Sequence, residues 1–103
     1  MSGIYDSELD VLSINGRRKT YTTTQIGDII IDFDRNLNVA GIEIMNPDKY
    51  LGITKKLLKQ MKYARISAHI RNNILLIRIF MVFVIENKKV EKERSILLPL
   101  ARN

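Results

Sequence analysis

The chain contains no cysteine and no tryptophan, one histidine, two prolines and five glycines among 103 residues. Without cysteine there is no disulfide framework, no thiolate metal site and no cysteine nucleophile. A single histidine, His69, has no second imidazole or thiol to complete a transition-metal set. No Gly-x-Ser-x-Gly elbow and no phosphate-binding loop surrounds the serines and threonines, so nothing places a base beside a group to be activated. The chain is expected not to be an enzyme and to need no cofactor. Apolar runs are short: the longest, Ile74–Ile85, would rise only about 18 Å as a helix against a hydrocarbon core of roughly 30 Å. The opening Met-Ser-Gly-Ile-Tyr-Asp lacks the basic-then-apolar pattern of a signal peptide. A cytoplasmic protein is the expectation.

Positive charge is scarce in the first half and abundant in the second. Residues 1–53 carry a balance of −3 and residues 54–103 a balance of +9, for a net charge of +6. A molecule polarised in this way draws polyanions to one end.

The stretch Ile74–Ile85 organises the rest. Eleven of its twelve side chains are apolar. Its β-branched residues and its two phenylalanines fit a pleated surface better than a helix. We read it as a central strand with both faces in need of cover. Arg78 interrupts it, and an unpaired charge buried there would cost several kcal/mol. Glu91, Glu93 or an acid of the first hairpin is one solution; an open face or a subunit interface is another. Twelve residues is also long for a strand, about five or six being usual. Cover by a second subunit follows, so a homodimer is expected, with Arg78 at its interface.

Before that strand the pattern is one of hairpins. Asp6-Ser7-Glu8 reads as a turn and Leu9–Ile14 as a strand. Asn15-Gly16 supplies the positive φ angles of a two-residue loop. The returning segment Arg17–Thr24 is Thr-rich and suits a sheet edge guarded by Arg17, Arg18 and Lys19. Around Asp28–Asp34, Ile29, Ile31 and Phe33 share one face, while Ile30, Asp32 and Asp34 share the other. Arg35–Asn38 turns the chain into Val39–Met45.

Four segments in this half have a familiar order: Tyr5-Asp6; Asp10-Val11-Leu12; Asp28-Ile29-Ile30-Ile31-Asp32-Phe33-Asp34; and Gly41-Ile42-Glu43-Ile44-Met45-Asn46. Together they resemble a small prokaryotic family, domain of unknown function 2283. Ser13 stands where that family usually has an aromatic residue, and Leu37 near its usual turn glycine. The resemblance covers about the first half of the chain and implies a compact β-rich protein without an established activity. Some members are encoded beside small predicted toxins, which implies an antitoxin-like role as one option. No counterpart is recognised beyond about residue 50.

Asn46-Pro47-Asp48 is a helix start, with Asn as N-cap and Pro at the first helical position. Leu51, Thr54, Leu57, Leu58 and Met61 keep helical spacing across residues 47–62. A break at Gly52, with Thr54 capping a second helix, accounts for the spacing equally well. Either way Lys55, Lys56, Lys59 and Lys62 fall opposite the apolar stripe. Tyr63–Arg71 then alternates, Asn72-Asn73 turns into the central strand, Asn87-Lys88-Lys89 turns out of it, and Val90–Leu98 returns before Pro99.

The fold expected is α+β: antiparallel hairpins, one helix over a sheet face, then a three-stranded antiparallel meander, all in one domain over residues 1–103. The expected core is Ile29, Ile31, Phe33, Ile42, Ile44, Leu57, Leu58, Met61, Ile77, Ile79, Met81 and Phe83. The best candidate for a binding surface is Lys55, Lys56, Lys59, Lys62, Arg65, Arg71, Lys88 and Lys89, with Lys92 and Arg94 nearby. Phosphate backbones require several cations at fixed spacing, and Tyr63 is placed to stack on a base. Asp28, Asp32, Asp34 and Glu43 invite a Mg²⁺ or Ca²⁺ reading. Their spacing fits no calcium loop, and Asp34 is more simply a turn former, so no metal is expected. The preferred function is a non-catalytic interaction protein, regulatory or antitoxin-like, acting on a protein partner or on itself. Nucleic-acid binding by the basic half is the alternative.

Overall fold

The structure is a computed structural model that describes residues 2–16 and 18–100. It is largely β, with eight strands in two antiparallel sheets and two short helices. Strands β1 (Ser2–Asp6), β2 (Val11–Asn15), β3 (Thr22–Ile26), β4 (Ile29–Phe33) and β5 (Val39–Met45) form one sheet in the order β1-β2-β5-β4-β3. Helices α1 (Pro47–Leu51) and α2 (Lys55–Leu58) link it to the meander of β6 (Met61–Arg71), β7 (Ile74–Ile85) and β8 (Lys88–Pro99).

Local chemistry accounts for most turns. Asn72-Asn73 and Glu86-Asn87 both have positive φ at each position, as a two-residue hairpin with the strands' own twist requires. The second turn therefore precedes Lys88 and Lys89, which begin β8 rather than forming the loop. Gly27, at φ +57°, opens the tight turn between β3 and β4. Asp6 closes the β1–β2 turn by accepting from the amides of Glu8 and Leu9.

Asn15-Gly16 does not make the expected hairpin. β2 pairs with β1 on one side and β5 on the other, while β3 pairs with β4 at the far edge. The reason is apolar content. Leu12 and Ile14 stand opposite Ile44 and Ile42 in the centre of the sheet, a place the exposed Thr22–Gln25 of β3 cannot fill. β3 is an edge strand, as its composition required. Arg17 lies outside the described residues, and Arg18 and Lys19 precede the strand.

The single expected helix is two. Gly52 adopts φ +61° and ends α1, and Thr54 caps α2 by accepting from the Leu57 amide. Asn46 is left-handed and makes no side-chain cap. Its amide instead donates to the Asp10 carbonyl. The helices supply Leu51 and Leu58 to the core, joined by Ile53 between them.

One hydrophobic cluster draws on both sheets and on the 51–58 segment. Leu12, Ile14, Ile29, Ile31, Ile42 and Ile44 face Leu75, Ile77, Ile79, Met81 and Phe83, all essentially without solvent contact. Of the expected core residues, Leu57 and Met61 are only partly buried at its margin. The sheets come closest where β1 crosses β6. A Cβ added to Gly3 would stand 2.6 Å from Cβ of Ala64 and 3.2 Å from its amide nitrogen. Among the described residues no helix is long and apolar enough to cross a membrane.

Gly3 is thus required by the sheet crossing itself. Gly3→Ala should cost about 1–3 kcal/mol through overpacking, read as a fall in denaturant midpoint. Adding Ala64→Gly should recover part of that loss; a double-mutant cycle without coupling would show that the two backbones do not meet.

Candidate interaction surface

Antiparallel neighbours directly opposite one another point to the same side of a sheet. In the meander the register therefore assigns each residue to an inner or an outer face. Leu75, Ile77, Ile79, Met81 and Phe83 of β7 point inward and are fully buried. The alternate residues Ile74, Leu76, Arg78, Phe80, Val82 and Val84 point outward, between β6 residues such as Arg65 and Ser67 and β8 residues such as Glu93 and Ser95. Apart from Val82, which is buried, the outward residues of β7 are exposed or half-buried, where cover on both faces was expected. The first sheet's strands have five to seven residues and β7 has twelve, so one sheet packs against one side of the longer one.

This outer face is apolar along its centre and charged along its flanks. Ile74 is 44% exposed, Val84 37% and Leu97 66%, with Leu76 and Phe80 half-buried between them. Arg78 is exposed, so the cost of a buried charge does not arise. It lines an open depression of about 370 Å³ together with Arg65, Ser67, Phe80 and Glu93. The Arg65 guanidinium lies 4.7 Å from the centroid of the Phe80 ring. A cation over an aromatic face at this range contributes about 0.5–1 kcal/mol where exposed. Glu93 was named from the sequence as a partner for Arg78, whereas Phe80 was not singled out as part of a site. A signal for it was present: Tyr63–Arg71 alternates with a polar side, and the strand paired beside it shares that side.

The basic residues are divided by the structure. Lys55 and Lys56 lie on α2, Lys59 is its C-cap, and Lys62 sits at the β-bulge where β6 begins. They do not form one helical face, because α2 ends at Leu58 and Met61 already pairs with Phe83 of β7. Lys88 opposes Ile85 at the same end of the meander, and the Val84 amide donates to the Gln60 carbonyl there. Lys56, Lys59, Lys62 and Lys88 are exposed at this end and make no ion pair among the described residues. Lys55 instead lies 3.4 Å from Asp10, and Lys89 lies 3.4 Å from Glu91. Arg71 is at the opposite end of β6, nine residues and so roughly 30 Å from Lys62. Arg94 turns to the α1 end, where its Nε donates to the Leu51 carbonyl at 2.7 Å.

The carboxylates are occupied locally. The Tyr50 hydroxyl donates to Asp28 at 3.1 Å, the Thr23 hydroxyl to Asp32 at 2.7 Å, and the amides of Asn36 and Asn38 to Asp34 at 2.9 Å. Arg18 completes the Asp34 turn with an ion pair at 2.8 Å. Glu43 is exposed opposite Ser13 and Ile30. Among the described residues no group of three His, Cys, Asp or Glu side chains could hold a metal ion. Asp10 joins three elements: the Tyr5 hydroxyl donates to it at 2.7 Å, Lys55 approaches its other oxygen, and its carbonyl receives the Asn46 amide. Burial, followed by this hydrogen bond to Asp10, pushes the Tyr5 phenol up to about 12.

Comparison with known proteins places these residues. The family described as "Protein of unknown function (DUF2283)" matches residues 4–46, which span β1 to β5. An uncharacterised protein of Methanocaldococcus jannaschii is 33% identical over 91 residues, covering 86% of this chain and 78% of the relative. The chain belongs to the DUF2283 family. Similarity to that relative runs well past the family-matched segment, into the meander that had no recognised counterpart. No solved structure matches the chain. Within the DUF2283 segment the acids Asp6, Asp10, Asp28 and Asp34 each accept hydrogen bonds at a turn or at the junction with the helices.

The Asp34 turn has a pH signature. The hydrogen bond from Arg18, then the backbone amides, hold its carboxyl below the ordinary 3.8. A depressed folded value stabilises the native state above the unfolded value, and the contribution disappears as pH falls from about 4 through the folded value. Asp34→Asn should remove that part of the acid-side loss of stability, measured by thermal melts between neutral and strongly acidic pH.

Proposed function

We propose that this DUF2283 protein acts by association rather than by catalysis, using the outer face of the β6–β8 sheet to dock a protein surface. The observation that carries this reading is the outer row of β7, where Ile74, Leu76, Phe80 and Val84 are exposed or only half-buried. Contiguous apolar surface with a polar rim is the anatomy of a protein contact. Phe80, under its arginine, is the natural anchor of the patch. In its specific form the role is regulatory or antitoxin-like, as the family's genetic company suggests. The test compares the native chain with Leu76→Ser/Phe80→Ser as bait in extract of the host after nuclease treatment. The native chain should retain a stoichiometric protein that the double variant loses, with thermal midpoints equal within a few degrees. Retention indifferent to these two residues would remove the reading.

A second reading rests on the exposed lysines of the α2 end: Lys56, Lys59, Lys62 and Lys88 make no ion pair among the described residues, although Glu86 lines the same depression as Lys56. Four such cations suit a phosphate backbone. This predicts mixed-sequence DNA or RNA binding whose log affinity falls with log salt at a slope of about −3 to −4. Flat fluorescence anisotropy at low salt would exclude it.

A further inference from the structure

We propose that the layer over the β6–β8 sheet is a second copy of this chain, laid face to face about a two-fold axis running along β7; this rests on the docking reading above. The flanks of the outer face carry opposite charge. β6 presents Arg65 and Arg71 and no acid, whereas β8 presents Glu93 and, ion-paired with Lys89 of the same strand, Glu91. A second copy turned about an axis parallel to the strands sets β8 of each copy over β6 of the other, the self-complementary contact of a two-fold dimer. Arg65 and Glu93 are both in register with Phe80. Each Arg65 therefore meets the Glu93 of the other copy at the same level, once on either side of the axis. Leu76 and Phe80 each lie on their own counterparts. Arg78, two residues along on the same face, falls on the axis against its own counterpart, and the two Glu93 carboxylates, neither of which has an ion-pair partner within the described residues of its own chain, flank that pair of guanidinium groups. An axis across the strands would put β6 on β6 and lose the charge match.

The size of the face agrees. Three strands spaced about 4.8 Å apart and roughly 36 Å long offer about 500 Å² per copy, near 1,000 Å² in total, the lower bound for a specific interface. A homodimer of moderate affinity, sensitive to salt, follows from an interface this size with charged flanks.

The experiment is sedimentation velocity on the full chain and on Arg65→Glu, Glu93→Arg and the double exchange, with circular dichroism to verify the fold of each. The native chain should be a dimer at tens of micromolar. Each single exchange should weaken it by about tenfold or more, and the double exchange should restore it, because opposite charges face each other again. A native monomer overturns the proposal, and so does a dimer indifferent to the exchanges. A monomer that still retains another protein through Leu76 and Phe80 leaves the docking reading in place while self-pairing falls. A monomer that retains nothing removes both.

Discussion

Two sheets of unequal length share one layer of branched side chains, and the rest of the molecule follows from that. Isoleucine and leucine rows from β2, β4 and β5 meet the inward row of β7, each fully buried side chain contributing about 1.5–3 kcal/mol. The shorter sheet covers the longer one from a single side, and the helices supply Leu51, Ile53 and Leu58 to the same cluster. Among the described residues no further strand or helix lies over the other side of the meander.

The acid-rich half and the base-rich half use their charges differently. In the first half carboxylates are consumed by geometry. Asp6 and Asp34 fix turns, Asp10 ties the first hairpin to α2, and Asp28 holds Tyr50 of α1. Such acids are constraints on the backbone rather than reactive groups, which explains why a segment with eight of them assembles no metal site among the described residues. In the second half most charges point to water and are free to meet something else.

Much of this was legible in the sequence, and the misreadings have physical causes. The β4–β5 hairpin and the meander were readable because alternation and turn residues agree there. Asn72-Asn73 can hardly be anything but a left-handed pair between two strands. Asn15-Gly16 misled because turn chemistry specifies a bend and not a partner; the partner was decided by where Leu12 and Ile14 find apolar neighbours. Leu51, Leu57, Leu58 and Met61 satisfy helical spacing, but Met61 belongs to a strand, since β7 required a paired edge. The lysines near them were correctly read as exposed and wrongly read as one face. Arg78 was the useful anomaly: an open side was one of the outcomes its presence in an apolar run offered, while the place of Phe80 beside it became visible only through register.

Loop lengths divide the two sheets in another respect. Every pairing in the meander is closed by two residues, Asn72-Asn73 or Glu86-Asn87, so its ladder grows outward from short closures. In the other sheet the β2–β5 pairing joins Val11 to Met45 and Asn15 to Gly41, across two intervening strands. Since closure entropy must be met before distant contacts repay it, the meander is the half able to assemble first. It then presents its greasy inward row as the template on which the family's own half condenses.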